Sequence, residues 1–204
     1  MDLVVRPALP TDPCVPLLFE SARPYYTAYA GSERRALALL EAVFTVPGHA
    51  ASFDCCTVAM EGETLVGLVA GFPVQHGDSR SRRFVRLTLP KLPPWRWPAT
   101  FGHLRAAGSV APSPPADAYY VDALAVADGW RRRGIARRLL DEARIEAERS
   151  GLHRLALDTG LHNDSARRLY ESYGFGEREI RRAGDARTER ALGGPGFVGY
   201  LMAV

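Results

Sequence analysis

Arginine and glycine residues are concentrated at one turn of the chain, and their spacing is suited to binding an anion. Arg131, Gly134 and Ala136 lie between an apolar run, Tyr119–Val126, and a segment of helical periodicity. Gly134 has no Cβ atom, so an oxyanion can approach its backbone closely. A helix N-terminus also presents unpaired N–H groups and a positive dipole. Three consecutive arginines at that end would oppose the dipole unless an anion offsets them, which favours a phosphate ligand over a basic helix end without one.

The turn does not match the common nucleotide-binding patterns. It is too short for Gly-x-Gly-x-x-Gly and has no Gly-Lys-Ser/Thr sequence. The only lysine in the chain is Lys91, which is far from the turn in sequence. Nucleotide hydrolysis is therefore not expected.

A strand, a helix and a second strand must position this turn. Tyr119–Val126 is rich in aromatic and β-branched residues and predicts a strand, and Ala127–Gly129 is a break. Gly151 can end the following helix, and His153–Asp158 predicts the next strand. Such a strand–helix–strand step is a right-handed parallel crossover, so a ligand is expected at the carboxyl ends of both strands. The apolar face of the helix consists of Ile135, Leu139, Leu140 and Ala143.

The remaining sequence predicts an α/β fold with the order β-α-α-β-β-insertion-β-α-β-α-β-β. This order implies a mixed central sheet of about six to seven strands with helices on both faces. Further strands are predicted over Leu3–Leu9, Thr57–Met60, Leu65–Gln75, Phe175–Arg182 and Phe197–Val204. Helices are predicted from a Thr11–Asp12 cap to Pro24, which should end or kink the helix, from Ser32 to Pro47, and from the N-cap cluster Asn163–Ser165 to Gly174. Asp185–Gly196 is predicted to be a glycine-rich loop.

An insertion of unusual composition covers residues 77–117. It contains six arginines, seven prolines and two tryptophans, Trp95 and Trp97. Connections of this length are commonly functional lids or disordered segments, and the tryptophans disfavour disorder. The insertion is predicted to be either a wall or lid over the acceptor side of the site, or a strap over a sheet edge or dimer contact. An arginine-lined wall would favour an acceptor that carries a carboxylate or phosphate.

Composition indicates an ordinary globular protein. Apolar residues make up 47% and charged residues 24% of the 204 residues, and the net charge is +3. We predict one domain over residues 1–204 and a cytoplasmic location, because no signal peptide or membrane-spanning run is recognised. The three cysteines and five histidines have no metal-ligand spacing, so no metal is expected. No membrane partner is expected, and the arginine–aromatic mixture of the insertion makes nucleic acid only a minor alternative.

The chain resembles the GNAT (Gcn5-related) N-acetyltransferases in two motifs. Arg131, Gly134 and Ala136 match the phosphate-loop pattern Arg/Gln-x-x-Gly-x-Gly/Ala, and Leu124–Val126 matches the Leu-Ala-Val that precedes it. The second motif of that family is an Asn, a small residue, Leu-Tyr and Gly-Phe. It is matched here by Asn163, Ala166, Leu169–Tyr170 and Gly174–Phe175.

The resemblance implies acetyl-CoA as the acetyl donor. Its pyrophosphate would lie on the amides of Arg131–Arg137, and its pantetheine arm between the strands that end near Val126 and Thr159. Asn163 would bond the arm, although a plain helix N-cap explains Asn163 equally well. The implied cofactor-binding residues are Leu124, Ala125, Val126, Arg131, Arg132, Arg133, Gly134, Ile135, Ala136, Arg137, Asn163, Ala166 and Tyr170.

Acetyl transfer to an amine requires an acid and a base. An alkylammonium has a pKa of about 10 and must lose a proton, whereas a leaving thiolate of pKa about 8.5 must gain one. Tyr170 matches the position that donates this proton in the resembled family, and core packing is the alternative. Asp122 is the candidate base, which strand alternation places on the same face as Leu124 and Val126. Its alternative is a structural carboxylate paired with an arginine.

The resemblance leaves the acceptor open. It implies that the acceptor is a primary amine of a small molecule or of a peptide. A second copy of the chain is also a candidate partner, because homodimers are common in that family. The alternative function is a non-catalytic acyl-CoA-binding regulatory module on the same fold.

Overall fold

A mixed sheet of seven strands forms the centre of the computed structural model, which describes residues 3–204. The strands follow the order β1-β2-β3-β4-β5-β7-β6, and only the β4–β5 pair is parallel. Both the number of strands and the mixed sheet confirm the predicted fold class. The strands are β1 Leu3–Pro7, β2 Cys56–Glu61, β3 Thr64–Pro73, β4 Tyr119–Val126, β5 Arg154–Gly160, β6 Gly176–Arg182 and β7 Gly196–Ala203.

Helices cover both faces of the sheet, as predicted. One face packs against α1–α4 through buried residues such as Leu18, Leu40 and Leu68. The other packs mainly against α6, with Ile135 and Leu139 at its centre. Each such side chain contributes about 2 kcal/mol when removed from water. The helices are α1 Val15–Ser21, α2 Arg23–Ala30, α3 Glu33–Phe44, α4 Val74–Thr88, α5 Trp97–Val110, α6 Ile135–Arg149, α7 Asp164–Tyr173 and α8 Ala186–Leu192.

The N-terminal helical region differs from the prediction. Asp12 does not cap α1, because its carboxylate accepts hydrogen bonds from the Leu9 N–H and from Arg6, each at 2.7 Å. Helix α1 begins after Cys14 instead. Pro24 lies in the first turn of α2, where its missing N–H costs nothing, so it starts a helix rather than ending one. Three helices therefore precede β2, where two were predicted.

The insertion is mainly helical. It forms most of α4, two 3₁₀ turns around its prolines, and α5. Helix α5 packs against α2, since the Thr100 hydroxyl donates to the Tyr29 carbonyl at 3.0 Å. Helix α4 is bonded to α2 at Tyr29 as well, through Thr88 at 2.7 Å. The insertion thus forms an outer layer behind α2.

The segment before β7 also contains an unpredicted helix. The Asp185 carboxylate accepts from the N–H groups of Arg187 and Thr188, both at 2.8 Å, and so caps α8. Gly193 then ends α8 with φ of 72°. The predicted loop over Asp185–Gly196 was therefore wrong for most of its length.

Across residues 3–204, every helix is either too short or too polar to cross a bilayer.

Candidate active site

The parallel strands β4 and β5 separate part-way along their length. They pair at only three positions, ending with Val121 opposite Leu157. Beyond that point β4 stays paired to β3, while β5 stays paired to β7. A split therefore opens within the sheet. The first residue after the last pair is Asp122 on β4 and Asp158 on β5.

A β-bulge sets the direction of the Asp122 side chain. In the pairing of β4 with β3, Ala70 opposes Ala123 and Gly71 opposes Val121, so Asp122 has no partner residue of its own. Gly71 permits this arrangement, because a Cβ atom there would lie 2.4 Å from the Tyr119 ring.

The bulge places Asp122 on a different face of the sheet from the one that was predicted. Leu124 and Val126 pack on the α6 side, whereas Tyr120 and Ala123 pack on the side of α1–α3. Asp122 lies toward this second side, where it influences Tyr25 and Tyr26 of α2 electrostatically. Strict alternation had placed Asp122 with Leu124 and Val126, and the extra residue of the bulge breaks that alternation.

Asp122 and Asp158 form an acidic pair at the split. The Asp122 side chain is exposed there, but the protein packed around it reduces its hydration. This desolvation raises the pKa of Asp122 to about 7, and the nearby charge of Asp158 adds to the effect. Burial likewise raises the pKa of Asp158, while a hydrogen bond of 2.5 Å from the Tyr120 hydroxyl opposes that rise. A carboxylate that titrates near neutral pH is suited to general-base chemistry.

Tyr170 reaches the split from the opposite face of the sheet. Its ring packs edge-on against Phe175 and Tyr200, and the residue is only 7% exposed. Burial raises the pKa of Tyr170 well above its usual range, with the negative charge of Asp158 as the second cause. Across the described residues, the Tyr170 hydroxyl has no hydrogen-bond partner. It is therefore a protonated donor that is not committed to another group.

The turn before α6 has the backbone of an anion site. Arg132 has φ of 61° and Gly134 has φ of 81°, so two left-handed residues bend the chain around the helix N-terminus. No side chain caps the first turn of α6, and that turn contains no acidic residue. A Cβ atom at Gly134 would meet nothing within 4 Å. The N–H groups of the first turn thus border open space and remain free for a ligand.

One cleft of about 820 Å³ extends from this turn to Tyr170. Twelve of the thirteen predicted cofactor residues line it; Arg133 does not. The Arg133 guanidinium lies over the Trp130 ring instead, 4.9 Å from its centre. The twelve are Leu124, Ala125, Val126, Arg131, Arg132, Gly134, Ile135, Ala136, Arg137, Asn163, Ala166 and Tyr170.

Neighbouring groups hold two of the cleft arginines in place. Arg131 bonds the Asp128 carboxylate at 2.7 Å and the Val126 carbonyl at 3.1 Å. Arg137 donates to the Ser172 hydroxyl at 2.8 Å. These contacts fix positive charge beside the open N-terminus of α6.

The Asn163 side chain caps a helix and also lines the cleft. Its carbonyl oxygen accepts from the Ala166 N–H at 3.2 Å, which makes it the N-cap of α7. Its amide donates to the Thr159 hydroxyl at 3.2 Å. The amide carries a second hydrogen, and the side chain lines the cleft, so the cap leaves a donor for a ligand.

Two residues at the site were missed by the sequence analysis. Asp158 was assigned only to a strand, because its importance depends on facing Asp122 across the split. Arg168 lines the cleft from α7, together with Ser165, Leu169 and Ser172. The i, i+3, i+4, i+7 spacing of these four residues marks one helix face, and that periodicity could have identified Arg168.

Sequence comparison identifies the family. A profile described as the acetyltransferase (GNAT) family matches residues 16–175, which is most of the chain. The chain belongs to the GNAT acetyltransferase family. No curated protein sequence matches the chain.

Solved acetyltransferase structures share the fold throughout the chain. A crystal structure described only as an acetyltransferase has a TM-score of 0.70 at 18% identity, covering 98% of this chain and 99% of the other. An N-acetyltransferase from Staphylococcus aureus Mu50 has a TM-score of 0.69 at 16% identity, with 98% and 100% covered. A GNAT acetyltransferase from Elizabethkingia anophelis, solved with acetyl-CoA bound, has a TM-score of 0.56 at 14% identity, with 100% and 99% covered.

The cleft fits the cofactor of the GNAT family, acetyl-CoA. Its pyrophosphate requires anion-binding groups, and the cleft supplies uncapped helix N–H groups and four arginines. Open space at Gly134 lets an oxyanion reach the backbone. Among residues 3–204 no cluster of potential metal ligands is found.

The left-handed conformation of Arg132 gives a testable prediction about stability. Arg132→Gly should be more stable than Arg132→Ala by about 1 kcal/mol, because only glycine adopts this conformation without strain from a Cβ atom. Urea denaturation of both variants without ligand would measure the difference. Both lose the same charge, so their affinities for CoA should fall together. Equal stabilities would show that the loop relaxes to another conformation when Arg132 is replaced.

Proposed function

We propose that the protein transfers the acetyl group of acetyl-CoA directly to a primary amine in a ternary complex. The observation that carries this proposal is the arrangement around the strand split. The anion-binding turn and Tyr170 line the same cleft, and the acidic pair lies where β4 and β5 separate. Coenzyme A binding and amine chemistry can therefore occur at adjoining positions.

Asp122 is the proposed base. Its pKa of about 7 lets the carboxylate be ionised at neutral pH while it still has useful proton affinity. It accepts a proton from the ammonium form of the acceptor, which frees the nitrogen lone pair for attack. The arginine partner that would make Asp122 merely structural is absent from residues 3–204, where no ion pair involves Asp122.

Tyr170 is the proposed acid. When bound, acetyl-CoA supplies a thioester whose carbonyl carbon is attacked by the amine. Tyr170 donates its phenolic proton to the sulfur as the carbon–sulfur bond breaks, and regains a proton from the nitrogen as the amide forms. One proton of the original ammonium remains on Asp122 and passes to solvent.

The cysteines support direct transfer rather than an acetyl-cysteine intermediate. Cys14, Cys55 and Cys56 are free, buried, and absent from the cleft lining. Burial raises the pKa of Cys14 to about 12, so its thiolate is scarce at neutral pH.

Turnover on a panel of amines tests the proposal. Purified protein is incubated with acetyl-CoA and alkylamines, diamines, amino acids or short peptides, and released thiol and acetylated product are both quantified. We expect amine-dependent release of CoA and product in equal amounts, and intersecting initial-rate plots.

Binding without turnover would instead favour the alternative function. A protein that binds acetyl-CoA tightly but acetylates none of these amines would be an acyl-CoA-binding module. Calorimetry with acetyl-CoA distinguishes that result from a preparation that has lost its cofactor site.

A further inference from the structure

Asp122 and Asp158 are neighbouring carboxylates, close enough to influence each other electrostatically, and neither is paired with a cation among the residues that the structure describes. Across residues 3–204 neither forms a salt bridge, although the chain contains 26 lysines and arginines. Within the described chain, Tyr120 is the one side chain that forms a hydrogen bond with Asp158. Five other aspartates, at exposed or peripheral positions, each pair with an arginine: Asp12, Asp54, Asp78, Asp117 and Asp128.

An uncompensated acidic pair is costly in a folded protein. Taking a carboxylate out of water is unfavourable unless a positive charge or several donors replace the lost hydration. The groups around the pair are neutral tyrosines, namely Tyr25, Tyr26 and Tyr120. Among residues 3–204 no ion pair supplies the missing positive charge; Arg178 lines a small pocket with Asp158 but donates to the Ser113 carbonyl instead.

Tyr170 independently indicates that a ligand belongs at this position. Its hydroxyl is in a residue that is 93% buried, lines the cleft and interacts electrostatically with Asp158, yet it has no partner among the described residues. A polar group in this state is normally satisfied by water or by a bound molecule.

Three of the six arginines of the insertion are bonded to other parts of the protein rather than free to bind an anion. Arg80 bonds Asp54 at 3.1 Å and the His49 carbonyl at 3.2 Å. Arg83 donates to the Pro47 carbonyl at 3.0 Å, and Arg96 to the Ala28 carbonyl at 2.5 Å. These three arginines hold α4 and α5 to the rest of the protein, which weakens the argument for an arginine-lined wall and an acidic acceptor.

We propose that the acceptor is an amine with a second cationic group and no acidic group, and that Asp158, held by Tyr120, binds this second group. The proposal rests on the proposed acetyl transfer. Asp122 takes the proton of the reacting ammonium, while Asp158 remains as the counter-charge for the rest of the acceptor. Tyrosine rings around the pair add favourable contacts with a cation.

Three amines of equal chain length test the charge preference. Butane-1,4-diamine, butylamine and 4-aminobutanoate differ only in a terminal group that is positive, neutral or negative. We expect kcat/KM to fall by about tenfold at each step, as a change of about 1.4 kcal/mol in a charge interaction would produce. Raising the salt concentration should narrow these differences.

The Asp158→Asn variant tests the assigned residue. Its kcat/KM for the diamine should fall about tenfold, and the differences among the three amines should shrink to less than threefold. Asp158→Glu keeps the charge and should restore part of the preference. Asp117→Asn is the matched control, because Asp117 is an exposed aspartate paired with Arg154 outside the cleft.

The pH profile separates an electrostatic role of Asp158 from a structural one. Loss of its charge should lower the pKa of Asp122, so the acid limb of kcat/KM should move to lower pH. A packing defect would reduce the rate without moving that limb. No other group is expected to move this limb. The other groups that face Asp122 are neutral tyrosines, and the neighbouring strand β3 has no titratable side chain. Glu20 of α1 is already paired with Arg23.

The outcomes distinguish this inference from the proposed function. If all three amines are acetylated at similar rates, or 4-aminobutanoate reacts fastest, the inference is wrong and acetyl transfer stands. If the wild-type preference survives in Asp158→Asn, Asp158 does not bind the second cation. If no amine reacts although acetyl-CoA binds, the proposed function itself fails.

Discussion

Replacing Asp122 with asparagine is expected to lower kcat by about 10²- to 10⁴-fold, the usual contribution of a general base. Asparagine has nearly the same shape but cannot accept the proton of an ammonium group. Asp122 does not line the cleft that contains the proposed phosphate-binding turn, so the affinity for acetyl-CoA should change little. Steady-state kinetics with saturating acetyl-CoA would measure the first effect, and calorimetry the second.

The pH dependence of kcat/KM tests whether Asp122 is the base. A base must be ionised to act, and the pKa of Asp122 is about 7, so kcat/KM of the wild type should fall as the pH drops through 7. On the alkaline side, near pH 10, the acceptor amine loses its proton to solvent and needs no base, so the difference in kcat/KM between the wild type and Asp122→Asn should narrow there. In Asp122→Asn the residual activity should lack the limb near pH 7. A residual profile that keeps this limb would assign the base to another group.

Stability distinguishes a lost base from a damaged fold. The pKa of Asp122 is raised by folding from about 3.8 to about 7, so its ionisation opposes folding. That cost develops as the pH rises through this interval and is complete above pH 7. Asp122→Asn should therefore be at least as stable as the wild type above pH 7, as thermal denaturation would show. Asp78→Asn is the control, since Asp78 is exposed on α4 and should affect neither property.

The core of the site could be predicted from sequence because local signals determine it. Strand β4 was predicted with its observed bounds, Tyr119–Val126, from its aromatic and β-branched composition. Gly134 and Gly174 mark the observed start of α6 and end of α7. These signals involve only neighbouring residues, and they placed most of the predicted cofactor residues around one cleft.

The acidic pair could not be predicted in the same way. The side to which Asp122 points depends on a bulge, and the bulge depends on Gly71 in another strand. Asp158 becomes important only because β4 and β5 part after Val121 and Leu157. Register and separation between strands are properties of the assembled sheet, so strand periodicity along β4 alone gave the wrong face.

The insertion shows that amino-acid composition alone does not predict what a segment binds. Six arginines and two tryptophans suggested a ligand-binding surface, yet several of these side chains bond backbone carbonyls of other helices. An arginine can bind a phosphate or a carbonyl with the same donors, and only the tertiary partners decide between them. The proposed acceptor charge consequently reverses that suggested by the arginine content.

Tyr170→Phe is expected to lower kcat by about 10²-fold, with little change in the affinity for acetyl-CoA. The variant keeps the ring that packs against Phe175 and Tyr200 but loses the proton donor for the leaving sulfur. Because the pKa of Tyr170 is raised, the wild-type residue stays protonated at neutral pH, and its ionisation should not limit activity there. Single-turnover kinetics would locate the defect in the chemical step. Unchanged turnover would show that Tyr170 only packs in the core.

Tyr173→Phe provides a matched control on the same helix, with the opposite expected result. The Tyr173 hydroxyl donates to the Asp141 carboxylate at 2.7 Å and does not line the cleft. Its removal should lower the free energy of unfolding by about 1 kcal/mol and leave kcat unchanged. The Tyr170 hydroxyl has no partner in the described chain, so its removal should not reduce stability. If Tyr170→Phe loses activity but not stability, and Tyr173→Phe loses stability but not activity, then Tyr170 rather than Tyr173 donates the proton.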